Sequence, residues 1–183
     1  MVLRCWLSIN LRRDLVRSSV CPGTFDPVTK GHLDIITRAA KIFDHVYVTV
    51  QNNPSKTPLF SVEERVELLR HEVASLENVS VESFDGLVVE YAKMKNAIAI
   101  VRGLRAVTDF EFEFKLASMN RNLAPEVETI FMMTSSEYSF ISSSAIKEVA
   151  SLGGDVSRWV SREVANRLFE KYGLQEGGKR ETD

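Results

Sequence analysis

The segment Pro22-Gly23-Thr24-Phe25-Asp26-Pro27-Val28-Thr29-Lys30-Gly31-His32 gathers residue types that together can hold phosphate. Two prolines and two glycines stand between an apolar run ending at Cys21 and a helical pattern that begins near His32. That reads as a strand, a tight glycine-bearing loop and a helix N-terminus. Backbone N–H groups at such a helix start, aided by the helix dipole, attract an anion. Thr24, Thr29 and His32 bring hydroxyl and imidazole groups into the same small volume, and Gly31 lets backbone approach a ligand. Neither GxGxxG nor GxxxxGK[ST] is present, so the loop is not a dinucleotide fingerprint or a P-loop.

Three later segments carry matching chemistry. In Asn53-Pro54-Ser55-Lys56-Thr57-Pro58, Lys56 is a compact cation in a loop bracketed by prolines, a candidate phosphate ligand. Arg102 closes a buried apolar run, and Gly103-Leu104-Arg105 follows; two arginines around a glycine can fork onto phosphate oxygens. The acids Asp109, Glu111 and Glu113 can either pair with those arginines or meet polar groups of a base or ribose. In Tyr138-Ser139-Phe140-Ile141-Ser142-Ser143-Ser144, Ser144 is the expected N-cap of a helix, which leaves other hydroxyls for an anion, and Lys147 lies one turn further on. His32, His45 and His71 are the only histidines, and HExxH, GxSxG and metal-spaced His/Cys clusters are missing. Phosphoryl or nucleotidyl transfer needs no nucleophile–base dyad. It needs positioned cations and N–H donors around a crowded phosphorus.

The elements that must position these groups alternate along the chain. Strands are predicted at Val16–Cys21, Val46–Val50, Val79–Phe84, Ile98–Val101 and Thr129–Met133, and helices at His32–Phe43, Ser61–Ser75, Leu87–Lys95, Asp109–Asn122, Ser144–Leu152 and Ser161–Tyr172. Ser61 followed by Glu64 is a capping box. Near-continuous apolar strands alternating with helices imply an α/β, Rossmann-like, doubly wound, five-stranded parallel sheet with C-terminal helices. Ligands in such sheets bind beyond the carboxyl ends of the strands, and four of the unusual segments follow strands.

The 183 residues suit one domain, with 44% hydrophobic and 26% charged residues and a net charge of −2. That balance disfavours a general nucleic-acid binder. Two cysteines, Cys5 and Cys21, without CxxC make a disulfide framework or zinc site improbable and suit a reducing cytoplasm. No apolar run has the length of a membrane span. Residues 1–18 carry four arginines and one acid and read as a leader, either a non-native or disordered extension or a transit peptide. The single domain is expected over 19–175, with a disordered tail over 176–183.

Taken together, PGTFDPVTKGH, PSKTP, RGLRAVTDFEFE, MNRNL and EYSFISSS closely resemble the bacterial phosphopantetheine adenylyltransferases, within the nucleotidyltransferase superfamily that carries an [HT]xGH motif. The resemblance runs from about Ser19 to Tyr172. It implies transfer of AMP from ATP to 4′-phosphopantetheine, with Mg²⁺ arriving on the nucleotide, and a homohexamer. By position it implies ATP contacts at Thr24, Phe25 and His32, with His32 stabilising the transition state. It places acceptor phosphate on Thr24, Lys56 and Arg102, with Lys56 and Arg102 also catalytic in offsetting charge as that phosphate attacks the α-phosphorus, and nucleotide on Gly103, Leu104, Arg105 and Glu113. Tyr138, Ser139, Phe140, Ile141, Ser142, Ser143 and Ser144 would wrap adenine and the β,γ-phosphates, Val88 would line the pantetheine arm, and the Phe110–Phe114 stripe would serve the subunit interface. Cys21 replaces an aromatic residue frequent at that place in the family. A related cytidylyltransferase, a nicotinamide-mononucleotide adenylyltransferase or a non-catalytic nucleotide-binding module are the alternatives.

Overall fold

A computed structural model describes residues 16–52, 57–175 and 177–178. Most of the expected leader, Lys56, Cys5 and most of the expected tail therefore lie outside the described residues. Five strands follow in chain order: β1 (Ser18–Gly23), β2 (His45–Gln51), β3 (Val79–Phe84), β4 (Ala97–Leu104) and β5 (Glu128–Met133). Six α-helices are interleaved: α1 (Lys30–Ile42), α2 (Val62–Glu72), α3 (Val88–Met94), α4 (Val107–Leu123), α5 (Ser143–Ser151) and α6 (Arg162–Lys171). The sheet runs in the order β3-β2-β1-β4-β5 and every pairing is parallel. The chain winds outward from β1 through β2 to β3, then crosses back to β4 and β5. The reversal lies between β1 and β4, where an open α/β sheet offers its crevice.

Helices cover both faces, so the central strands bury apolar residues on both sides, with Ser18, Ser19 and Thr49 as buried polar exceptions. Val46, Val48 and Val50 of β2 pack with Ile35, Ile36 and Ala39 of α1, with Leu68 and Leu69 of α2, and with Val164, Leu168 and Phe169 of α6. On the opposite face Val20 and Ile100 meet Val89, Tyr91 and Ala92 of α3. Each fully buried Ile or Leu contributes roughly 1.5–3 kcal/mol. Helix α4 is different, because none of its residues is buried. Among the described residues no helix is long and apolar enough to cross a membrane.

Three local readings are corrected. The strand expected to end at Val101 continues to Leu104, because β5 stays paired with it through Leu104↔Met133. The first strand lies later than Val16–Cys21 and includes Pro22 and Gly23, which pair with β2 at Thr49 and Val50. On its other side β1 leaves β4 after Val20↔Ile100. Pro22 is tolerated there because the edge it turns toward β4 no longer needs a ladder donor. Finally, Ser142 and not Ser144 caps α5, accepting from Ala145 N–H at 3.1 Å. The capping box at Ser61 and Glu64 forms as expected.

Candidate active site

The cleft opens where β1 and β4 part. Its volume is about 340 Å³, in the range of small-molecule sites, and the ends of β1 and β4 form its floor. Arg102 spans the gap between the two strands. Its Nη1 donates to Pro22 O at 2.7 Å, replacing the ladder bond that the divergence removed. The rest of its guanidinium forks onto Glu113 of α4, at 2.8 Å and 2.6 Å. The sequence left open whether the acids of α4 orient the arginines or meet a nucleotide. In this structure Glu113 orients Arg102.

The loop after β1 has a conformation that explains its composition. Phe25 sits at φ 50°, in the left-handed region, which is costly for a bulky residue. Its ring folds back over Gly23, where an added Cβ would come within 2.8 Å of the ring, so any larger residue there would push the Phe25 ring out of place. The same ring meets His32 edge-on, with centroids 5.1 Å apart. Gly31 differs: an added Cβ would make only ordinary contacts, the nearest 3.4 Å to Tyr138. Protein packing therefore does not demand a glycine at 31, and its open side faces the cleft.

Thr29 caps α1. Its hydroxyl accepts from His32 N–H at 3.3 Å, and its own N–H donates to His32 Nδ1 at 3.1 Å. This is a reciprocal capping box with histidine in place of the usual Glu or Gln. A backbone donor on Nδ1 leaves the proton of the neutral ring on Nε2. Burial, then the charges of Arg105 and Arg102, depress the His32 pKa to about 4. His32 thus stands at neutral pH as an uncharged imidazole with a fixed Nε2–H donor. The capping role and the functional role use different nitrogens and coexist.

Three cation–carboxylate pairs surround the cleft. Besides Arg102–Glu113, Arg105 pairs with Asp109 at 3.1 Å and donates to Ile141 O at 3.1 Å, joining the start of α4 to the segment before α5. Lys147 of α5 pairs with Asp26. Asp26 is buried and also accepts from Leu59 N–H and Phe60 N–H, at 3.0 Å and 2.9 Å. Burial alone would raise its pKa, but Lys147 and the two backbone donors more than offset it and hold the carboxyl below the usual range. At the far side, Asp34 of α1 accepts from Ser135 N–H and Oγ, and Arg38 donates to Met133 O, fixing the turn that leads from β5 toward α5.

Thr24, Phe25, His32, Arg102, Gly103, Arg105 and Glu113 all face this one cleft. So do Tyr138, Ile141, Ser142, Ser143 and Ser144. Ser143 Oγ is turned onto Pro27 O at 2.8 Å. Leu104 is buried at the end of β4, Phe140 is 96% exposed, and neither they nor Ser139 and Val88 line the cleft. Val88 packs beside the α3 core instead. Gly103 has a packing reason of its own, since an added Cβ would stand 3.0 Å from Ile35. Cys21 lines the cleft floor as a buried free thiol, its pKa pushed up to about 11 by burial. The sequence reading missed Asp26 and underused Lys147. Their partners lie 33, 34 and 121 residues away, so no local pattern marks them. Thr29–His32 could have been found by allowing histidine at the third helical position of a capping box.

Comparisons with known proteins agree with this geometry. Residues 20–149 match the family model described as cytidylyltransferase-like. A phosphopantetheine adenylyltransferase of Heliobacterium modesticaldum is 56% identical over 161 residues, spanning 88% of this chain and 96% of that protein. The protein of the same name from Caldanaerobacter subterraneus is 54% identical over 157 residues, spanning 86% and 98%. Among solved structures, Plasmodium falciparum nicotinic acid mononucleotide adenylyltransferase, complexed with NaAD, superposes with a TM-score of 0.64 over 87% of this chain and 97% of that one. At 13% identity that likeness speaks for the Rossmann-like fold alone.

Proposed function

Since the chain belongs to the phosphopantetheine adenylyltransferase family, we propose that its cleft transfers AMP from ATP to 4′-phosphopantetheine, giving dephospho-coenzyme A and pyrophosphate, the penultimate step of coenzyme A synthesis. The observation that carries this reading is the neutral His32 at the head of α1, facing the same cleft as the N-terminus of α5 and the two arginines at the end of β4, Arg102 within it and Arg105 just after it. A phosphate oxygen of the acceptor attacks the α-phosphorus of ATP. The new P–O bond forms as the bond to the bridging oxygen of the β-phosphate breaks, and pyrophosphate leaves. Charge builds on the α-phosphate oxygens at the transition state, where a pre-aimed Nε2–H from His32 stabilises it.

Thr24, Lys56 and Arg102 hold the acceptor phosphate in this scheme, while Phe25, Gly103, Leu104, Arg105 and Glu113 attend the nucleotide. Tyr138–Ser144 wrap adenine, with the capped start of α5 receiving the β,γ-phosphates. Val88 is assigned to the pantetheine arm on the resemblance. The cleft carboxylates Asp26, Asp109 and Glu113 are each taken up by a cation, so Mg²⁺ enters as part of the MgATP substrate, held by phosphate oxygens. We further propose one catalytic domain over 19–175 working as a homohexamer in the cytoplasm. Support for assembly is the exposed row Phe110, Phe112 and Phe114 on α4, and support for a reducing compartment is the free thiol of Cys21.

The test is pyrophosphate release at fixed MgATP across a panel of acceptors: 4′-phosphopantetheine, nicotinamide mononucleotide, nicotinate mononucleotide and a phosphorylated alcohol, repeated with CTP. Turnover confined to ATP with 4′-phosphopantetheine is expected. Turnover with another pair, or none with any, overturns the assignment.

A further inference from the structure

Arg65 of α2 is among the largest fully buried side chains of the protein, 1% exposed. It makes no ion pair among the described residues. Its donors go to three main-chain carbonyls: Ser61 O at 3.2 Å, Thr24 O at 2.9 Å and Gln51 O at 3.3 Å. A buried guanidinium without a contacting carboxylate costs several kcal/mol of lost hydration, and a methionine would fill similar space without that cost. What an apolar side chain cannot do is turn three carbonyls from three segments toward one point. The planar fork of arginine can.

The carbonyl that matters is that of Thr24. In a trans peptide the C=O of one residue and the N–H of the next point in opposite directions. Arg65 draws Thr24 O toward α2, away from the cleft that Thr24 and Phe25 line. The Phe25 N–H is therefore turned the other way, into the cleft, and it donates to no backbone carbonyl among the described residues. Phe25 also holds its costly left-handed backbone, φ 50°, at this peptide. Strain of that kind persists where surrounding structure over-determines it, and it accumulates at ligand-binding loops. Resting on the adenylyl-transfer reading, we propose that Arg65 is a positioning residue: by holding the Thr24 carbonyl from behind, it aims the Phe25 N–H as a fixed donor at the nucleotide phosphates. Its bonds to Gln51 O and Ser61 O brace both ends of the β2–α2 connection on the same anchor.

The experiment compares Arg65→Met, Arg65→Lys and Ser61→Ala. Ser61→Ala removes a helix cap and lowers stability without touching Thr24, so it controls for simple destabilisation. In Arg65→Met, kcat is expected to fall about 10- to 100-fold with KM for 4′-phosphopantetheine little changed. Arg65→Lys, which keeps the charge and a shorter donor, recovers part of that loss, and Ser61→Ala keeps kcat within about twofold of the parent. A normal kcat in Arg65→Met, no recovery in Arg65→Lys, or an equal kcat loss in Ser61→Ala overturns the proposal. A second measurement depends on neither turnover nor variant folding. In the ¹⁵N-labelled parent protein, the Phe25 amide should shift on titration with inorganic pyrophosphate, and an unmoved Phe25 amide overturns the proposal. If the amide shifts while no acceptor in the panel is adenylylated, the functional reading fails, and the same titration of Arg65→Met decides the positioning role: a lost or weakened Phe25 shift supports it and an unchanged shift overturns it.

Discussion

The two loops that face each other across the cleft are fastened by different means. The Gly23–His32 loop is held from behind by buried and half-buried bonds: Arg65 to Thr24 O, Leu59 N–H and Phe60 N–H to Asp26, and Thr29 N–H to His32 Nδ1. The segment from the end of β4 to the start of α4 is held at its cleft face by ion pairs, Arg102–Glu113 and Arg105–Asp109, whose arginine side chains are 26% and 42% exposed. The first segment has its geometry set by the protein alone, while the second keeps its cations on carboxylates with which, in the proposed reaction, a phosphate would compete. A fixed donor set suits transition-state stabilisation, and a shareable set suits binding and release.

The largest effect should come from the fixed side. His32→Ala removes the Nε2–H donor, and kcat is expected to drop about 10²–10³-fold with ATP affinity largely kept, measured by pyrophosphate release and calorimetry. Normal turnover in that variant would remove the fixed loop from the chemistry. The same ring carries a pH signature. Its folded pKa is depressed to about 4 from an ordinary 6.5. Between those values the unfolded chain binds a proton that the folded ring refuses, so stability falls as pH drops through that window. A proton-NMR titration of the free protein should find His32 near 4, and His32→Gln should flatten the stability loss. A midpoint at the ordinary value would show the ring to be hydrated.

Next comes the buried anchor. Asp26→Asn leaves Lys147 without its counter-charge and is expected to cost roughly 3 kcal/mol, a Tm fall of about 6–12 °C in a chain of this size. Because the Asp26 pKa is lowered, its contribution is present above the unfolded carboxyl value and is lost as pH falls through the folded one. The variant should therefore show a shallower acid transition, and an unchanged Tm would mean that the Lys147 pair contributes nothing.

The shareable side predicts a smaller and mixed effect. Glu113→Gln releases Arg102 from its carboxylate, so inorganic phosphate should bind more tightly while kcat falls about tenfold from lost orientation. Weaker phosphate binding would show that Arg102 needs the Glu113 carboxylate in order to bind. The smallest change is at Gly31. A helical Gly→Ala gains up to about 1 kcal/mol where space allows, and here packing does allow it. Gly31→Ala should raise Tm slightly and raise KM for ATP, separating what the fold needs at this position from what the ligand needs. Unchanged KM would show that no ligand approaches there.

Much of this was legible in the sequence. Apolar periodicity predicts five parallel strands in a doubly wound α/β sheet, and they form with ends displaced by a few residues at most. Strand ends are set by pairing partners, which the local pattern does not contain; β4 reaches Leu104 only because β5 accompanies it. The segments around Pro22–His32, Arg102–Arg105 and Tyr138–Ser144 were likewise visible, since turn residues, hydroxyls and cations at strand–helix junctions are local signals, and the structure brings residues of all three to one cleft. The pattern of α4 is less telling. Its exposed phenylalanines could be core or interface by sequence, and within one chain they are not core.

The sequence by itself therefore determined the architecture, the position of the loop between β1 and α1 and the residue types available to it, because these follow from periodicity, turn chemistry and spacing along the chain. Tertiary structure decided which groups meet. It put Arg102 across the gap that opens when β1 leaves β4, Asp26 against a loop and a helix far along the chain, and Arg65 behind the Thr24–Phe25 peptide. It also decided that His32 is a neutral donor and not a cation, since burial beside two arginines disfavours its charged form. Burial and long-range pairing exist only once the sheet has formed, and they turn an anion-binding composition into a directed set of donors.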